Sequence, residues 1–266
     1  MEENLHIALK GAIAAGKKIM QIYEQDELVV DSKEDHSPLT IADTKANEII
    51  NNYLIPTGIP IISEENKQID FSIRKEWVEC WIVDPLDGTK EFIKRNGEFT
   101  VNISLVIEGK TKLGVIFAPA LDIIYFADVE KRKAYKSTVN HDYGVHDVIR
   151  NAQEIKASKN ENLIRVVGSR SHMNEDTRTY IETLTSRYNK KIEVVSKGSS
   201  LKFCLIAEGE AQIYPRFAPT MEWDTAAGQA ICEAVGLTCI SRDTGKSMIY
   251  NRKNLLNGHF LVSNEG

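Results

Sequence analysis

One acidic segment constrains the fold more than any other part of the sequence. In CWIVDPLDGTKEF, residues 80–92, a short apolar run leads directly into Asp84 and Asp87, which are followed by Gly-Thr. Pro85 disfavours the helical region for the residue before it, so we expect Asp84 to end a strand in an extended conformation. We expect Asp87 to return through a turn, so that both carboxylates face one site and a helix begins near Thr89.

Two ionised carboxylates at this spacing repel one another unless a cation lies between them. Hard oxygen ligands favour Mg²⁺ or Ca²⁺ over Zn²⁺, and the carbonyl oxygen of Leu86 is a further candidate ligand. Gly88 and Thr89 are expected to expose backbone N–H groups at the start of the next helix, which suits a phosphate beside the cations. The alternative is that Asp-Gly only makes a turn between a strand and a helix.

Three further acidic sites fall at predicted ends of elements. Glu64 and Glu65 follow the apolar run PIIS, with a solvated loop as the alternative. Asp224, in MEWDTAAG, is predicted to be the N-cap of the following helix. Asp43 lies three residues after Thr40, which is the spacing of a purely structural capping box. Because strand ends and helix starts in an α/β layer converge on one cleft, we expect these carboxylates to meet.

The rest of the chain alternates helical and β patterns. Apolar residues at helical spacing over residues 5–23 predict an amphipathic helix, and a second helix is predicted from Thr40 to about residue 54. The segment DSKEDHSP between them is predicted to be a solvated loop. The runs TVNISLVI, KLGVIFA and DIIYFA predict an antiparallel meander.

The polar stretch from residue 130 to residue 159 is the candidate for a boundary between lobes, because its periodicity is weak. We therefore predict an N-terminal α+β lobe, residues 1–135, and a C-terminal lobe, residues 136–266, in which strands alternate with helices. The N-terminal lobe carries most of the candidate carboxylates. The two lobes are expected to form one compact functional unit.

Charge and cysteine usage exclude some classes of partner. The chain has 266 residues, 38 of them acidic and 33 basic, and a formal net charge of −5, so it has no global positive field for a nucleic acid polymer or for anionic lipid. Its four cysteines lie in apolar stretches, without a CxxC pair, which predicts buried thiols in a reducing compartment. No signal peptide or integral membrane segment is apparent, and the expected location is cytoplasmic.

Three ordered motifs, Glu64-Glu65, DPLDGT and WDTAAG, resemble those of the lithium-sensitive, magnesium-dependent phosphatases of the inositol monophosphatase superfamily. Within that superfamily, the words SEEN, DPLDGTKEFI, GSRSH and GSSLKFCLIAEGEAQIYPRF are most similar to the CysQ-type 3′(2′),5′-bisphosphate nucleotidases. The word DGTKEF discriminates, since inositol monophosphatases more often have DGTTNF. The resemblance covers nearly the whole chain.

The resemblance implies a layered αβαβα sandwich and a phosphoric monoester hydrolase of sulfur metabolism. Its implied reaction is hydrolysis of the 3′-phosphate of adenosine 3′,5′-bisphosphate (PAP) to AMP and phosphate, with the 5′-phosphosulfate relative of PAP (PAPS) left open as a substrate. The alternatives are an inositol-1-phosphate monophosphatase and, in another class, a non-catalytic sensor that binds metal and nucleotide.

The same resemblance assigns roles to residues. Glu64, Asp84, Asp87, Asp224 and the Leu86 carbonyl would hold two or three Mg²⁺ ions, while Thr89, oriented by Asp43, would position or deprotonate a water with help from Glu65. Substrate contacts would come from Glu64, Leu86, Asp87, Gly88, Thr89, His172, Ser199, Lys202, Arg216 and Asp224.

Several alternatives stay open at this point. Lys202 and Arg216 have the alternative of ordinary surface charges, Ser199 that of a helix cap, and His172 that of a helix-start residue. A monomer and a homodimer are both compatible with the sequence. So is peripheral attachment to the cytoplasmic face of the inner membrane.

Overall fold

The computed structural model describes residues 1–25, 30–32, 38–140, 144–158, 163–168, 174–188 and 190–263. Its helices are α1 (Glu2–Tyr23), α2 (Ile41–Leu54), α3 (Phe71–Arg74), α4 (Thr89–Ile93), α5 (Val145–Arg150), α6 (Glu175–Tyr188), α7 (Leu201–Ala207) and α8 (Glu222–Ala234). Two short 3₁₀ turns cover Ile55–Thr57 and Pro119–Leu121.

The strands form two large sheets and two small pairs. Those of the first half are β1 (Val30–Ser32), β2 (Pro38–Thr40), β3 (Ile61–Ser63), β4 (Glu79–Asp87), β5 (Thr100–Ile107), β6 (Lys110–Ala118), β7 (Ile123–Asp128), β8 (Lys133–Thr138) and β9 (Gln153–Glu154). Those of the second half are β10 (Leu163–Gly168), β11 (Lys191–Ser196), β12 (Ile213–Arg216), β13 (Thr220–Met221), β14 (Thr238–Ser241), β15 (Leu256–Asn257) and β16 (Phe260–Ser263).

The first large sheet has the order β3-β4-β5-β6-β7-β8-β9 and is covered on one face by α1 and α2. Helix α1 buries a stripe that includes Leu9, Ala12 and Ile19, because apolar side chains three and four residues apart share one helix face. These side chains pack against alternate residues of β4 to β6, among them Trp81 and Ile103. The predicted pair of helices and the predicted meander β5-β6-β7 are confirmed.

The opposite face of this sheet packs against α8, and α7 packs beside α8. The contact with the sheet is close, since a Cβ on Gly114 of β6 would lie 2.4 Å from the carbonyl oxygen of Ala227. A Cβ on Gly228 would likewise meet the ring of Phe203 of α7 at 2.3 Å. The two glycines therefore allow α8 to approach both its neighbours.

The second large sheet has the order β11-β10-β12-β16-β14 and lies beyond α7 and α8. Strand β10 runs parallel to β11 and β12, while β16 runs antiparallel to β12 and β14. Helix α6 covers the far face, with Leu184 buried among residues that include Val166 and Ile213. The layers thus alternate as αβαβα, which confirms the expected fold class.

Two predictions about connections need correction. The predicted division after residue 135 falls inside β8, which pairs with β7 and β9 and so extends the first sheet. A strand needs only backbone pairing and a few buried side chains, so its polar composition hid it. We propose the division of the two lobes between Glu154 and Leu163. The predicted loop DSKEDHSP forms the antiparallel pair β1-β2 at its ends, and residues 33–37 lie outside the described residues.

The four cysteines, Cys80, Cys204, Cys232 and Cys239, are buried free thiols, as the apolar stretches around them predict. Among the described residues, no helix combines the length and the apolar character that a membrane crossing requires.

Candidate active site

Strand β4 carries both aspartates of the acidic segment, and it does so through a bulge. Asp84 pairs with Asn102 of β5 and Asp87 pairs with Thr100, so two residues of β4 stand opposite one residue of β5. Pro85 has no N–H for the ladder, which favours an irregularity at this point. The predicted turn after Asp84 is therefore wrong, because the strand continues through the bulge to Asp87.

Three carboxylates from β4 and α8 converge at this end of the sheet. Asp84, Asp87 and Asp224 each offer one oxygen, and these oxygens lie within 4.8 Å of one another. One oxygen of Asp84, Oδ1, accepts a hydrogen bond from the Leu86 N–H at 3.0 Å. The other, Oδ2, is buried and accepts no hydrogen bond from the described residues. Clustered carboxylate oxygens, one of them buried without a hydrogen bond, are suited to hold a hard cation.

Electrostatics support the same interpretation. Burial raises the pKa of Asp84 well above its ordinary value, and repulsion from Glu64, Asp87 and Asp224 adds to the effect. Burial and repulsion from Asp87 raise the pKa of Asp224 to about 8, against the opposing hydrogen bond from the Met221 N–H. The protein alone therefore disfavours full ionisation of this cluster, whereas bound divalent cations would offset the repulsion.

The charge of Glu64 adds to the raised pKa of both Asp84 and Asp224, although Glu64 is not one of the three residues whose oxygens lie within 4.8 Å of one another. Glu64 follows β3 directly, and its N–H donates to the carbonyl oxygen of Val83 at 3.2 Å, which continues the pairing of β3 with β4. Glu64 and Glu65 lie in the turn that follows β3, and both are half-buried.

Asp43 has both of the roles that the sequence left open. It lies at the third position of α2, where its Oδ2 accepts from the Thr40 N–H at 2.7 Å and from the Thr40 hydroxyl at 2.6 Å. Its Oδ1 accepts from the hydroxyl of Thr89 at 3.1 Å. Thr89 is the first residue of α4, and its Oγ1 also lies 3.3 Å from the carbonyl oxygen of Leu86. The carboxylate thus caps one helix and orients a hydroxyl at another.

The sequence predicted that Asp224 is the N-cap of α8, but Asp224 is the third residue of this helix. Helix α8 begins at Glu222, and Asp224 Oδ2 accepts from the Met221 N–H at 2.7 Å. The prediction failed because a carboxylate caps a helix equally well by reaching back from the third position. This arrangement commits one oxygen of Asp224 to the backbone.

A cleft between the two lobes adjoins the carboxylates. Its lining includes Asp87 and Gly88 of the first lobe and Ser199, Lys202, Arg216 and Asp224 of the second. Predicted residues of both lobes therefore meet in one cavity, although Glu64, Asp84 and Thr89 are not part of its lining. His172 lies outside the described residues.

The side chain of Lys202 is buried, so its alternative as an ordinary surface charge is wrong. Its ammonium donates to the carbonyl oxygens of Ser199 at 2.6 Å and Lys197 at 3.3 Å. Burial lowers the pKa of Lys202 to about 8, and the nearby charge of Asp87 opposes that shift. Lys202 therefore stays mainly protonated at pH 7. Arg216 is half-buried and donates to the Pro219 carbonyl oxygen at 3.3 Å.

Ser199 does not cap α7. Its hydroxyl donates to Asp87 Oδ2 at 2.5 Å, and the N–H of Ser200 donates to the same oxygen at 2.6 Å. Ser199 has a φ of 54°, in the left-handed region that is costly for a residue with a side chain. The turn before α7 is thus held against the carboxylate of β4.

Sequence reasoning missed a polar group behind Asp87, formed by Thr100, Asn102 and Ser200. All three are buried, and their side chains contact one another. The sequence contained a signal for this group, because polar and apolar residues alternate over T-V-N-I-S, from Thr100 to Ser104. In the structure both faces of this strand are buried, including the polar one. Polar side chains at buried alternate positions indicate a built network rather than a solvated face.

Comparison with known proteins agrees with the motifs. A profile of the inositol monophosphatase family matches residues 1–265. Over 253 residues the chain is 43% identical to the 3′(2′),5′-bisphosphate nucleotidase CysQ of Shigella flexneri, a match that covers 94% of this chain and 95% of that protein. The protein of the same name from Escherichia coli K12 is 42% identical over the same shares of the two chains.

A solved structure gives the same result. The crystal structure of CysQ from Bacteroides thetaiotaomicron, described as a bacterial member of the inositol monophosphatase family, superposes with a TM-score of 0.89 at 44% identity, over 100% of this chain and 99% of that one. The resemblance seen in the motifs is thereby confirmed. With its layered fold and with a family match from end to end, this chain belongs to the inositol monophosphatase family.

Proposed function

We propose that this protein is a Mg²⁺-dependent 3′(2′),5′-bisphosphate nucleotidase that hydrolyses the 3′-phosphate of PAP to AMP and phosphate. The observation that carries the proposal is the contact between the carboxylate cluster of Asp84, Asp87 and Asp224 and a cleft that contains Lys202 and Arg216. Relatives that cover nearly the whole chain carry this activity in their names.

The metal would be held by Glu64, Asp84, Asp87, Asp224 and the carbonyl oxygen of Leu86, in a site for two or three Mg²⁺ ions. The donor set fits, because it consists of oxygen atoms and includes the buried, unpartnered Oδ2 of Asp84. Bound divalent cations lower the pKa of water and stabilise charge on phosphoryl oxygens. The chain itself supplies the orientation of the attacking water and the binding of the substrate.

Thr89 and Asp43 form the proton-accepting pair of the proposed reaction. Because the Thr89 hydroxyl donates to Asp43 Oδ1, its oxygen is left to accept a hydrogen bond from the attacking water. As that water attacks phosphorus, its proton would pass to the Thr89 oxygen while the Thr89 proton passes to Asp43 Oδ1. Asp43 is fixed for this task by its two bonds to Thr40. We assign Glu65 to a supporting role beside this pair.

Selection of a bisphosphate would come from the second lobe. Lys202 and Arg216 bring two positive charges to the cleft, and two cations favour a substrate with a second phosphate over a monophosphate. The amides of Gly88 and Thr89 would receive the phosphate that is cleaved, while His172 and Ser199 would contact the nucleotide.

The direct test compares phosphate release from PAP, PAPS, inositol 1-phosphate and fructose 1,6-bisphosphate, with Mg²⁺ and with EDTA. We expect the largest kcat/KM for PAP and no release in EDTA. Efficient hydrolysis of inositol 1-phosphate without that of PAP would leave the family assignment intact and make the substrate assignment wrong. Binding of PAP without turnover would favour the alternative of a non-catalytic sensor that binds metal and nucleotide.

A charge variant tests the basis of selection. We expect Lys202→Gln to raise the KM for PAP by roughly 10- to 100-fold, since a hydrogen bond to a charged group contributes about 1.5–3 kcal/mol. The matched control is Lys112→Gln, which removes a lysine of β6 that pairs with Glu130 at 3.1 Å. Equal KM values for the two variants would exclude Lys202 from substrate binding.

A further inference from the structure

A chain of hydroxyl groups leads to Asp87 from strand β5, in which Thr100 and Ser200 are buried and Ser199 is half-buried. Ser199 Oγ lies 2.5 Å from Asp87 Oδ2 and 2.6 Å from the Thr100 hydroxyl, which lies 2.7 Å from the Ser200 hydroxyl. The side-chain oxygen of Asn102, Oδ1, lies 3.1 Å from the Thr100 hydroxyl and 2.7 Å from that of Ser200. The side-chain nitrogen of Asn102, Nδ2, is buried without a hydrogen-bond partner.

The available hydrogens can satisfy this network only if the side-chain amide of Asn102 is reversed. The network has five polar contacts, and each needs one hydrogen. The hydroxyls of Thr100, Ser199 and Ser200 provide only three hydrogens. The hydrogen of Ser199 goes to the Asp87 carboxylate, which can only accept. Two contacts between oxygens would then have no hydrogen. A half-turn of the Asn102 carboxamide leaves its shape almost unchanged and adds two N–H hydrogens, so that every contact has one donor.

We propose that Asn102 presents its amide nitrogen to Thr100 and Ser200, and that Thr100 and Asn102 are positioning residues for the cation site. In this orientation each bond points toward the carboxylate. Asn102 donates to Thr100 and Ser200, Ser200 donates to Thr100, Thr100 donates to Ser199, and Ser199 donates to Asp87. Such aligned hydrogen bonds polarise one another, which strengthens the last bond.

With the proposed cation bound, the neighbourhood of Asn102 also favours this orientation. Asn102 stands directly opposite Asp84 in the antiparallel ladder, and side chains of such a pair project from the same face of the sheet. The reversed amide leaves its oxygen as the atom without a partner, beside a carboxylate whose Oδ2 also has none. An oxygen suits the neighbourhood of a cation, whereas amide hydrogens would repel it.

The network gives Asp87 a fixed orientation. Its Oδ2 is held by the Ser199 hydroxyl and the Ser200 N–H, so that Oδ1 is left for the cation. The turn that bears these donors is also held by Glu98, whose Oε2 accepts from the Gly198 N–H at 2.9 Å. Residues that orient a metal ligand typically change metal affinity by about 10- to 100-fold when they are replaced.

The test measures Mg²⁺ binding by isothermal titration calorimetry without substrate. The melting temperature in EDTA shows whether each variant is folded. This inference rests on the proposed metal site. We expect Thr100→Val to raise the Kd for Mg²⁺ at least about tenfold and Thr100→Ser to restore it to within about threefold. The matched control is Ser104→Ala, which removes a buried hydroxyl on the same face of β5 that donates to the Leu113 carbonyl oxygen at 2.7 Å.

A wild-type Kd in folded Thr100→Val would overturn the inference, as would a tenfold increase in Ser104→Ala. If Thr100→Val fails to fold, the variant Asn102→Asp provides a second test. A carboxylate at position 102 adds negative charge near the site but cannot donate, so we expect weaker Mg²⁺ binding despite the added charge. Unchanged or tighter binding would show that Asn102 acts as an acceptor, contrary to the proposal.

These outcomes separate the inference from the proposed function. A wild-type protein that binds no Mg²⁺ would contradict the proposed metal site itself. A wild-type protein that binds Mg²⁺ and hydrolyses PAP, together with unaffected Thr100→Val and Asn102→Asp variants, would contradict only the assignment of positioning roles.

Discussion

The starts of helices α2 and α8 have the same local geometry and different surroundings. In each, an aspartate at the third helical position accepts the N–H of the N-cap residue at 2.7 Å, Asp43 from Thr40 and Asp224 from Met221. The second oxygen of Asp43 meets the hydroxyl of Thr89. The carboxylate of Asp224 instead lies among the carboxylates of β4.

This difference shows how one local motif yields two chemical roles. A capping box uses one carboxylate oxygen and leaves the other available. Beside a hydroxyl, the available oxygen orients a proton acceptor. Beside other carboxylates, it raises the electrostatic repulsion that a cation would relieve. The four predictions that follow alter one member of this comparison at a time.

Asp224→Asn should have the largest effect. An asparagine oxygen can still accept the Met221 N–H, but the charge at the cluster is lost. We expect kcat/KM for PAP to fall by more than the roughly 100-fold that is typical of residues supporting a metal ligand. Mg²⁺ affinity, measured by calorimetry, should fall in parallel, while a folded variant with wild-type Mg²⁺ affinity would remove Asp224 from the metal site.

Asp43→Asn should separate turnover from metal binding. The variant keeps an acceptor for Thr40 but loses the charge beside Thr89, so kcat should fall by about 10²- to 10⁴-fold, the range for a group that assists proton transfer. The Kd for Mg²⁺ should change little. Loss of folding in circular dichroism would instead support a purely structural cap, and a wild-type kcat would contradict the assignment of Asp43.

The pH dependence of stability should distinguish the two helix starts. The pKa of Asp224 is raised from 3.8 to about 8, so between these values the folded state without metal binds a proton that the unfolded state does not. Its contribution to stability is present below the unfolded value and is lost as pH rises toward 8.

In EDTA, the melting temperature of the wild type should therefore fall more between pH 5 and pH 8 than that of Asp224→Asn. Asp43→Asn is the matched comparison, and its slope should stay near that of the wild type. Parallel slopes for the wild type and Asp224→Asn would contradict the raised pKa. Saturating Mg²⁺ should flatten the wild-type curve, because it replaces the proton.

Thr40→Ala should have the smallest effect. It removes the hydroxyl that accepts the Ala42 N–H at 3.2 Å and donates to Asp43, which should cost about 1 kcal/mol of unfolding free energy. The Thr40 N–H still holds Asp43, so kcat should fall less than Asp43→Asn lowers it. Thr40→Ser should restore both properties, and a Thr40→Ala variant as inactive as Asp43→Asn would show that the backbone bond is insufficient.

Elements with a strong local pattern were predictable from the sequence. The apolar stripe of α1 and the three strands of the meander arise at the expected positions, since side-chain periodicity decides which face is buried. Strand β8 and the bulge after Asp84 were missed. Both depend on pairing with a strand elsewhere in the sheet, which neighbouring residues do not encode.

For the candidate site, the sequence supplied the acidic residue types and their positions at the ends of elements. Pro85 and Gly88 around the aspartates, and the capping spacing of Thr40 and Asp43, are local features that sterics and hydrogen bonding determine within a few residues. The sequence by itself therefore determined that carboxylates would stand at strand ends and helix starts.

Only the tertiary structure decided which of them meet and what each second oxygen faces. The approach of Asp224 to Asp84 depends on α8 packing against the first sheet, and the bonds from Ser199 to Asp87 depend on the second lobe docking beside β5. Distances between residues far apart in the chain are set by how the layers pack together, because no short-range interaction between neighbouring residues fixes them.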